Sequence, residues 1–207
     1  HPAIRTIGYP PSGARVVGTD YWAAGIGPGD NRPYQVLARR FGLSTPRKET
    51  LFFAGARELD PALDKEIPWG RRNVVIMPGS DSPRKKLPDE KWEGVVARLR
   101  DLGVFVLQTG KLRERYIPGT YSLLGLTSPG QLLAVIGRAD LVITTDTFAM
   151  HAAWMTARPA VVLWGPTDAE TYGYDDQIHL QSVDEPCPLK AECLGPRWPE
   201  NYHSPCP

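Results

Sequence analysis

Cysteine is scarce in this sequence: there are three in 207 residues, at positions 187, 193 and 206. An odd, sparse set confined to the last stretch excludes a disulfide-stapled scaffold and leads us to expect a reducing, cytoplasmic compartment. Long apolar runs are missing as well. No stretch approaches the roughly 18 residues that cross a bilayer, and no secretory leader pattern is present. An excess of one charge is also missing. The 24 Lys and Arg against 23 Asp and Glu give a formal +1, with both signs spread along the chain. Neither a nucleic-acid footprint nor a polybasic membrane patch is therefore indicated. The chain opens on His1 rather than Met, as expected of a fragment or a processed product.

Proline, in contrast, is plentiful. Its 21 residues are about twice the usual share of ~5%, and they gather at the two ends and in the connections. A hydrophobic fraction of 42% and a charged fraction of 23% are ordinary for a globular protein, which excludes wholesale disorder. The length suits one or two small domains with a real core.

Residues 1–30 are rich in Gly, Pro and Tyr and show little periodicity. Asp30 or Asn31 is a candidate cap for a helix running to about Phe41 and stopped by Gly42. Leu51–Phe53 reads as a short strand, and residues 51–70, punctuated by Pro61, Pro68 and Gly70, read as a linker. From residue 71 the pattern becomes regular. Asn73–Met77 (N-V-V-I-M) is a continuous apolar run, the signature of a strand buried on both faces. Trp92, Val95, Val96, Leu99 and Leu102 recur at helical spacing, with Pro88 and Asp89 suited to the helix start and Gly103 to its end. Val104–Leu107 reads as a second strand, and Tyr121–Leu126 as a short apolar piece. Ser128 is a candidate cap for a second helix. Leu141–Thr144 reads as a strand, Thr147–Ala157 as a helix and Ala160–Trp164 as a strand. One further strand is expected at Ile178–Val183, before an irregular Cys/Pro-rich tail over 184–207. Strands alternating with helices specify an α/β fold: a Rossmann-like parallel sheet with helices on both faces, spanning 71–183.

In such sheets ligands sit at the carboxyl ends of the strands. That rule selects the loops after Met77, Leu107, Thr144 and Trp164. The first, P-G-S-D-S-P-R-K-K-L-P, offers Gly79 for a tight turn, the Ser80 hydroxyl, and the cations Arg84, Lys85 and Lys86. Donors of this kind are what a diphosphate needs, although a solvated basic loop looks the same in isolation. The second, Q-T-G-K-L-R-E-R, holds Gly110 and Glu114. A carboxylate there suits a ribose diol, or else is one exposed charge among several. The third, T-T-D-T-F-A-M-H, starts a helix whose backbone N–H groups favour an anion, with His151 one turn in. The plainer alternative is an N-cap at Asp146 or Thr147 and a histidine satisfied within the core. The fourth, L-W-G-P-T-D, offers Thr167 and Asp168.

Taken in order, P-G-S-x4-K-x-L-P, a strand ending in T-G, G-L-T-S-P-G-Q-L-L-A-V-I-G-R-A-D, T-T-D-T-x2-M-H-A-A and V-V-L-W-G-P-T resemble glycosyltransferase family 9, the lipopolysaccharide heptosyltransferases. The resemblance spans roughly Val74 to Thr167. It implies a GT-B architecture, two Rossmann-like domains facing across a cleft, with this chain carrying the C-terminal, donor-binding half. Residues 1–50 would then be a remnant of the N-terminal acceptor domain. The resemblance further implies an inverting transfer from a nucleotide-diphosphate sugar, ADP-heptose-like, to a glycan or lipid-linked acceptor. The site would lie in the cytoplasm, peripheral at the inner membrane, and no metal would be required for catalysis.

The donor-binding set it implies is Gly79, Ser80, Lys85, Gly110 and Glu114 from the first two loops, and Asp146, Thr147, Phe148, Ala149 and His151 from the third. Lys85 matches the family lysine on donor phosphate. Asp146, Thr147 and His151 match the signature D-[ST]-G-x-x-H. Two positions depart from the pattern: Leu87 stands where the family has tryptophan, and Phe148 where it has glycine. The family's general base, an aspartate near the start of the acceptor domain, has no counterpart, so no catalytic residue is expected in this chain. A partner chain supplying the acceptor domain is one expectation; a non-catalytic nucleotide-sugar-binding module, or one subunit of a split transferase, is the alternative. In the tail, Cys187, Cys193, His203 and Cys206 offer the donors of a Cys3His site for structural zinc or iron. The spacing fits no standard finger, and reduced thiols or an incidental cluster are the favoured reading.

Overall fold

The computed structural model describes residues 33–40, 42 and 59–181. The candidate strand at Leu51–Phe53, residues 1–30 and the tail with Cys187, Cys193, His203 and Cys206 lie outside the described residues. Helix α1, Pro33–Arg40, falls where the cap signal pointed, and Gly42 follows it with φ 66°. That left-handed conformation ends a helix at little cost only when no Cβ is present.

The stretch read as a linker carries more structure than its Pro and Gly suggest. Asp60 caps helix α2, Pro61–Glu66, by accepting the Ala62 N–H at 2.8 Å. Leu59 and Ile67, on either side of it, are buried within the core of the following domain. Asp64 accepts the Trp69 indole N–H at 2.9 Å and pairs with Arg138, whose guanidinium lies 4.0 Å over the Trp69 ring.

The sheet has six parallel strands: β1 Asn73–Met77, β2 Phe105–Gln108, β3 Tyr121–Ser122, β4 Leu141–Thr145, β5 Ala160–Trp164 and β6 Ile178–Gln181. Their spatial order is β3-β2-β1-β4-β5-β6. Helices α3 (Asp89–Asp101), α4 (Pro129–Arg138), α5 (Phe148–Met155) and α6 (Ala169–Tyr172) connect them. Successive side chains of a strand point to opposite faces, and β1 divides accordingly. Val74 and Ile76 pack with Trp92 and Val96 of α3, whereas Val75 packs with Val135 and Ile136 of α4 and Ala149, Met150, Ala152 and Ala153 of α5. Both faces are thus covered, as the unbroken apolar run of β1 requires. Ser128 caps α4 through a reciprocal pair: its hydroxyl accepts from Gln131 N at 3.3 Å, and Gln131 Oε1 accepts from Ser128 N at 2.9 Å.

Some boundaries differ from the expected ones. The helix expected over Thr147–Ala157 is shorter, because Thr147 is its N-cap and Ala157 takes a left-handed φ of 54° beyond its end. The piece at Tyr121–Leu126 pairs over only two residues, Tyr121 and Ser122. Tyr121 also ties β3 to α2, since its hydroxyl hydrogen-bonds Glu66. That bond, with partial removal from water and the charge of Glu66, pushes the phenol up to about 12. Helix α6 is unheralded in the sequence. Asp168 makes it by accepting from Thr171 N at 3.2 Å.

The strand order fixes where a ligand can sit. The chain leaves β1 toward β2 and β3, then returns to the other side of β1 as β4. The loops after β1 and β4 therefore diverge at a topological switch point, where open parallel sheets form their binding crevice.

Candidate functional site

A cleft of about 340 Å³ opens at that switch point, and it is lined by eight of the ten residues expected to bind a donor: Gly79, Ser80, Lys85, Glu114, Asp146, Thr147, Phe148 and His151. Lys85 reaches it from a single turn of 3-10 helix at Pro83–Lys85. Its Nζ lies 2.6 Å from Asp146 Oδ2 and 3.4 Å from the Asp146 carbonyl. Both side chains are mostly buried, with relative exposures of 13% and 10%. The same Asp146 oxygen accepts the Thr167 hydroxyl at 2.6 Å. Three of the four loops thus meet at one carboxylate: the loop after β1 through Lys85, that after β4 through Asp146 and that after β5 through Thr167. Asp168 plays no part in the cleft, because capping α6 occupies it.

Thr147 adopts an extended backbone and makes no side-chain cap bond to α5. Its hydroxyl instead lies 3.1 Å from that of Thr144, which donates to the Met77 carbonyl at 3.3 Å. The first turn of α5 therefore presents its N–H groups to the cleft without a side chain folded over them, the arrangement that attracts anions. Ala149 does not line the cleft; its side chain is fully buried in the core. Phe148 projects outward, 43% exposed.

Gly110 does not line the cleft. Its role, with Gly79, is to make room for Glu114. A Cβ on Gly79 would stand 1.9 Å from Glu114 Oε2, and one on Gly110 would stand 2.2 Å from it. The carboxylate lies wedged between the two loops, and its Oε2 is buried with no hydrogen-bond partner among the described residues. The two glycines should respond differently to substitution. Gly79→Ala meets only the far end of a flexible side chain, so Glu114 swings aside and stability should change by less than about 1 kcal/mol. Gly110 has φ 152°, so Gly110→Ala adds backbone strain of about 1–3 kcal/mol. Urea denaturation separates them; equal losses would contradict this account.

His151 has one edge open to the cleft, with Nδ1 2.8 Å from the Tyr174 hydroxyl. Partial removal from water lowers its pKa below 6.5, although the residue stays exposed on its cleft side; Asp146 opposes the shift and Lys85 reinforces it. A histidine with a depressed folded-state pKa binds fewer protons folded than unfolded, so stability rises with pH between the folded value and 6.5 and is lost as pH falls through that window. Replacing His151 with Gln should flatten the melting temperature below pH 6.5. An unchanged acid slope would show that other groups carry it.

Residue spacing did not reveal the Lys111–Asp81 pair at 2.5 Å, which joins the loops after β2 and β1 across the cleft margin. Nor did it reveal Tyr174. No group of three or more metal-ligating side chains occurs among the described residues. No helix among them is long and apolar enough to cross a membrane.

Comparison with known proteins bears on this cleft. Curated proteins give no match. Among solved structures, the fold is similar to a glycosyl transferase family 9 protein from Veillonella parvula DSM 2008, with TM-score 0.60 and 21% identity, covering 74% of this chain and 49% of that one. It is similar to the E. coli ADP-heptose lipopolysaccharide heptosyltransferase II, with TM-score 0.51 and 20% identity, covering 60% of this chain and 43% of that one. It is also similar to TibC, an iron-containing dodecameric glycosyltransferase from enterotoxigenic E. coli H10407, with TM-score 0.58 and 16% identity, covering 79% of this chain and 46% of that one. The present chain thus spans less than half the length of each of these proteins. The model of glycosyltransferase family 9 (heptosyltransferase) matches residues 31–194, most of the sequence and the whole of the sheet that builds the cleft. The chain belongs to glycosyltransferase family 9.

Proposed function

We propose that this chain carries the nucleotide-sugar donor site of an inverting, heptosyltransferase-like enzyme. The donor is a nucleoside diphosphate sugar of the ADP-heptose kind. The acceptor is a glycan or a lipid-linked glycan, held by a further region or by a partner chain. The observation that carries this reading is the meeting of Lys85 with the uncapped first turn of α5 at the switch point of the sheet. One charged donor and a set of aligned N–H groups converge on a space suited to a diphosphate. TibC has also been solved in complex with ADP-D-β-D-heptose, which supports the same ligand class here.

In this reading the chain's contribution to catalysis is electrostatic. Displacement of the sugar leaves negative charge on the departing diphosphate. Lys85, the Ser80 hydroxyl and the N–H groups of Phe148 and Ala149 offset that charge as it develops, without a metal ion. Glu114 Oε2, buried beside the cleft, has the lone pairs to accept a ribose diol.

A thermal-shift series with ADP, GDP, UDP and their sugars tests the reading. Ligand at about 100 times its Kd stabilises the folded state by about 2.7 kcal/mol, so the preferred nucleotide should stand apart, with adenine expected. Absence of any shift at millimolar nucleoside diphosphate would sink the donor-site assignment.

A further inference from the structure

Tyr174 is held in place from several directions. Its ring stacks on Trp154 with centroids 4.3 Å apart and planes at 8°, and it meets the His151 ring edge-on at 5.7 Å and 89°. His151 and Trp154 are three residues apart on α5, so one ring touches two neighbours on the same helix face. The Tyr174 carbonyl accepts Gln177 N at 3.0 Å and His179 Nε2 at 3.0 Å. The tautomer of His179 follows from its partners. Trp164 Nε1, which can only donate, lies 3.0 Å from His179 Nδ1. Nδ1 is therefore unprotonated, and the proton sits on Nε2, pointing at the Tyr174 carbonyl. Gly173 leaves the space this needs, since a Cβ there would stand 2.5 Å from His179 Cε1.

The consequence falls on His151. Between its Nδ1 and the Tyr174 hydroxyl at 2.8 Å, one group must donate. The phenol is a readier proton donor than a neutral imidazole N–H, and an imidazole nitrogen is the stronger base. We propose that Tyr174 is a positioning residue for the cleft: its hydroxyl donates to His151 Nδ1, holds the imidazole as the neutral Nε2–H tautomer, and leaves that N–H as a donor for an anionic ligand oxygen. The proposal rests on the reading of the cleft as a diphosphate site. It gives the cleft a neutral donor close to the Lys85 cation. Protonation of Nδ1 destroys the arrangement, because the nitrogen then ceases to accept. Of the charged groups facing the ring, Asp146 favours protonation and Lys85 opposes it.

Nitrogen-15 NMR of the histidine side chains in the ligand-free protein reads the tautomer directly. His151 should show an unprotonated Nδ1 and a protonated Nε2 at pH 7. Tyr174→Phe keeps the stack on Trp154 and removes only the hydroxyl. It should yield a tautomer mixture and weaken ADP binding about two- to tenfold, the range of one hydrogen bond, with little change in melting temperature. A protonated Nδ1 in the parent protein overturns the inference, as does an unchanged tautomer or unchanged ADP affinity in Tyr174→Phe. If the expected tautomer is found but the parent protein binds no ADP, the Tyr174–His151 assignment is supported and the nucleotide reading is overturned instead.

Discussion

Asp146→Ala is expected to lower the stability of the sheet domain by about 2–3 kcal/mol, measured by urea denaturation at pH 7. The carboxylate receives Lys85 and Thr167 on one oxygen at 2.6 Å each, in a mostly buried setting. Removing one partner of a buried ion pair costs ~3–5 kcal/mol when the other charge stays unpaired and dry. Here the expected loss sits somewhat below that range, because the cleft is open and the Lys85 ammonium can turn toward water. The Thr167 hydroxyl has less freedom, being almost fully buried. Asp146→Asn keeps an oxygen for both donors and should lose only about half as much. The ranking of the two variants is the check. Equal losses would mean that the carboxylate charge, and not the geometry of three loops meeting on it, is what matters.

That meeting point marks the limit of what the sequence discloses. β1 and β5 have the bounds expected, because a strand buried on both faces writes itself as an uninterrupted apolar run. Ser128 was legible as a cap because capping is local, a matter of three residues. Helices α2 and α6 were not. Each is under two turns long, too short to display an apolar stripe, and each depends on one Asp cap and on packing against distant residues. The cleft-lining loops were legible for the same reason as the strands: their place at the carboxyl ends follows once the βα alternation is recognised. The pairings within them were not legible. Lys85 and Asp146 are 61 residues apart, and His151 and Tyr174 are 23 apart; no periodicity links such positions. Glycine gave a partial signal. Gly79 read as a turn residue and Gly110 as part of the donor-binding set, whereas the physical demand on both is the Glu114 carboxylate lodged between them.

Lys85→Ala is expected to weaken ADP binding by about 1.5–3 kcal/mol, roughly ten- to a hundredfold, by calorimetry at low ionic strength. The lower figure is the loss of a hydrogen bond to a charged group. The upper one arises because Lys85 also neutralises Asp146 at 2.6 Å. Without the ammonium, an incoming diphosphate meets a bare carboxylate at the start of α5, and like charges at that range repel. The two contributions can be separated. In Lys85→Ala/Asp146→Asn the repulsion is gone while the missing donor stays missing, so affinity should recover partway toward that of the parent protein. Added salt should narrow the gap between the single and double variants, since it screens the repulsion in an open cleft. Unchanged affinity in the single variant would refute the assignment of Lys85 to the phosphate, whereas a double variant no better than the single would refute only the repulsion by Asp146. In the first case the anion is held by the α5 amides alone. In the second, Asp146 serves only to fix the loops, and the whole loss is that of the Lys85 donor.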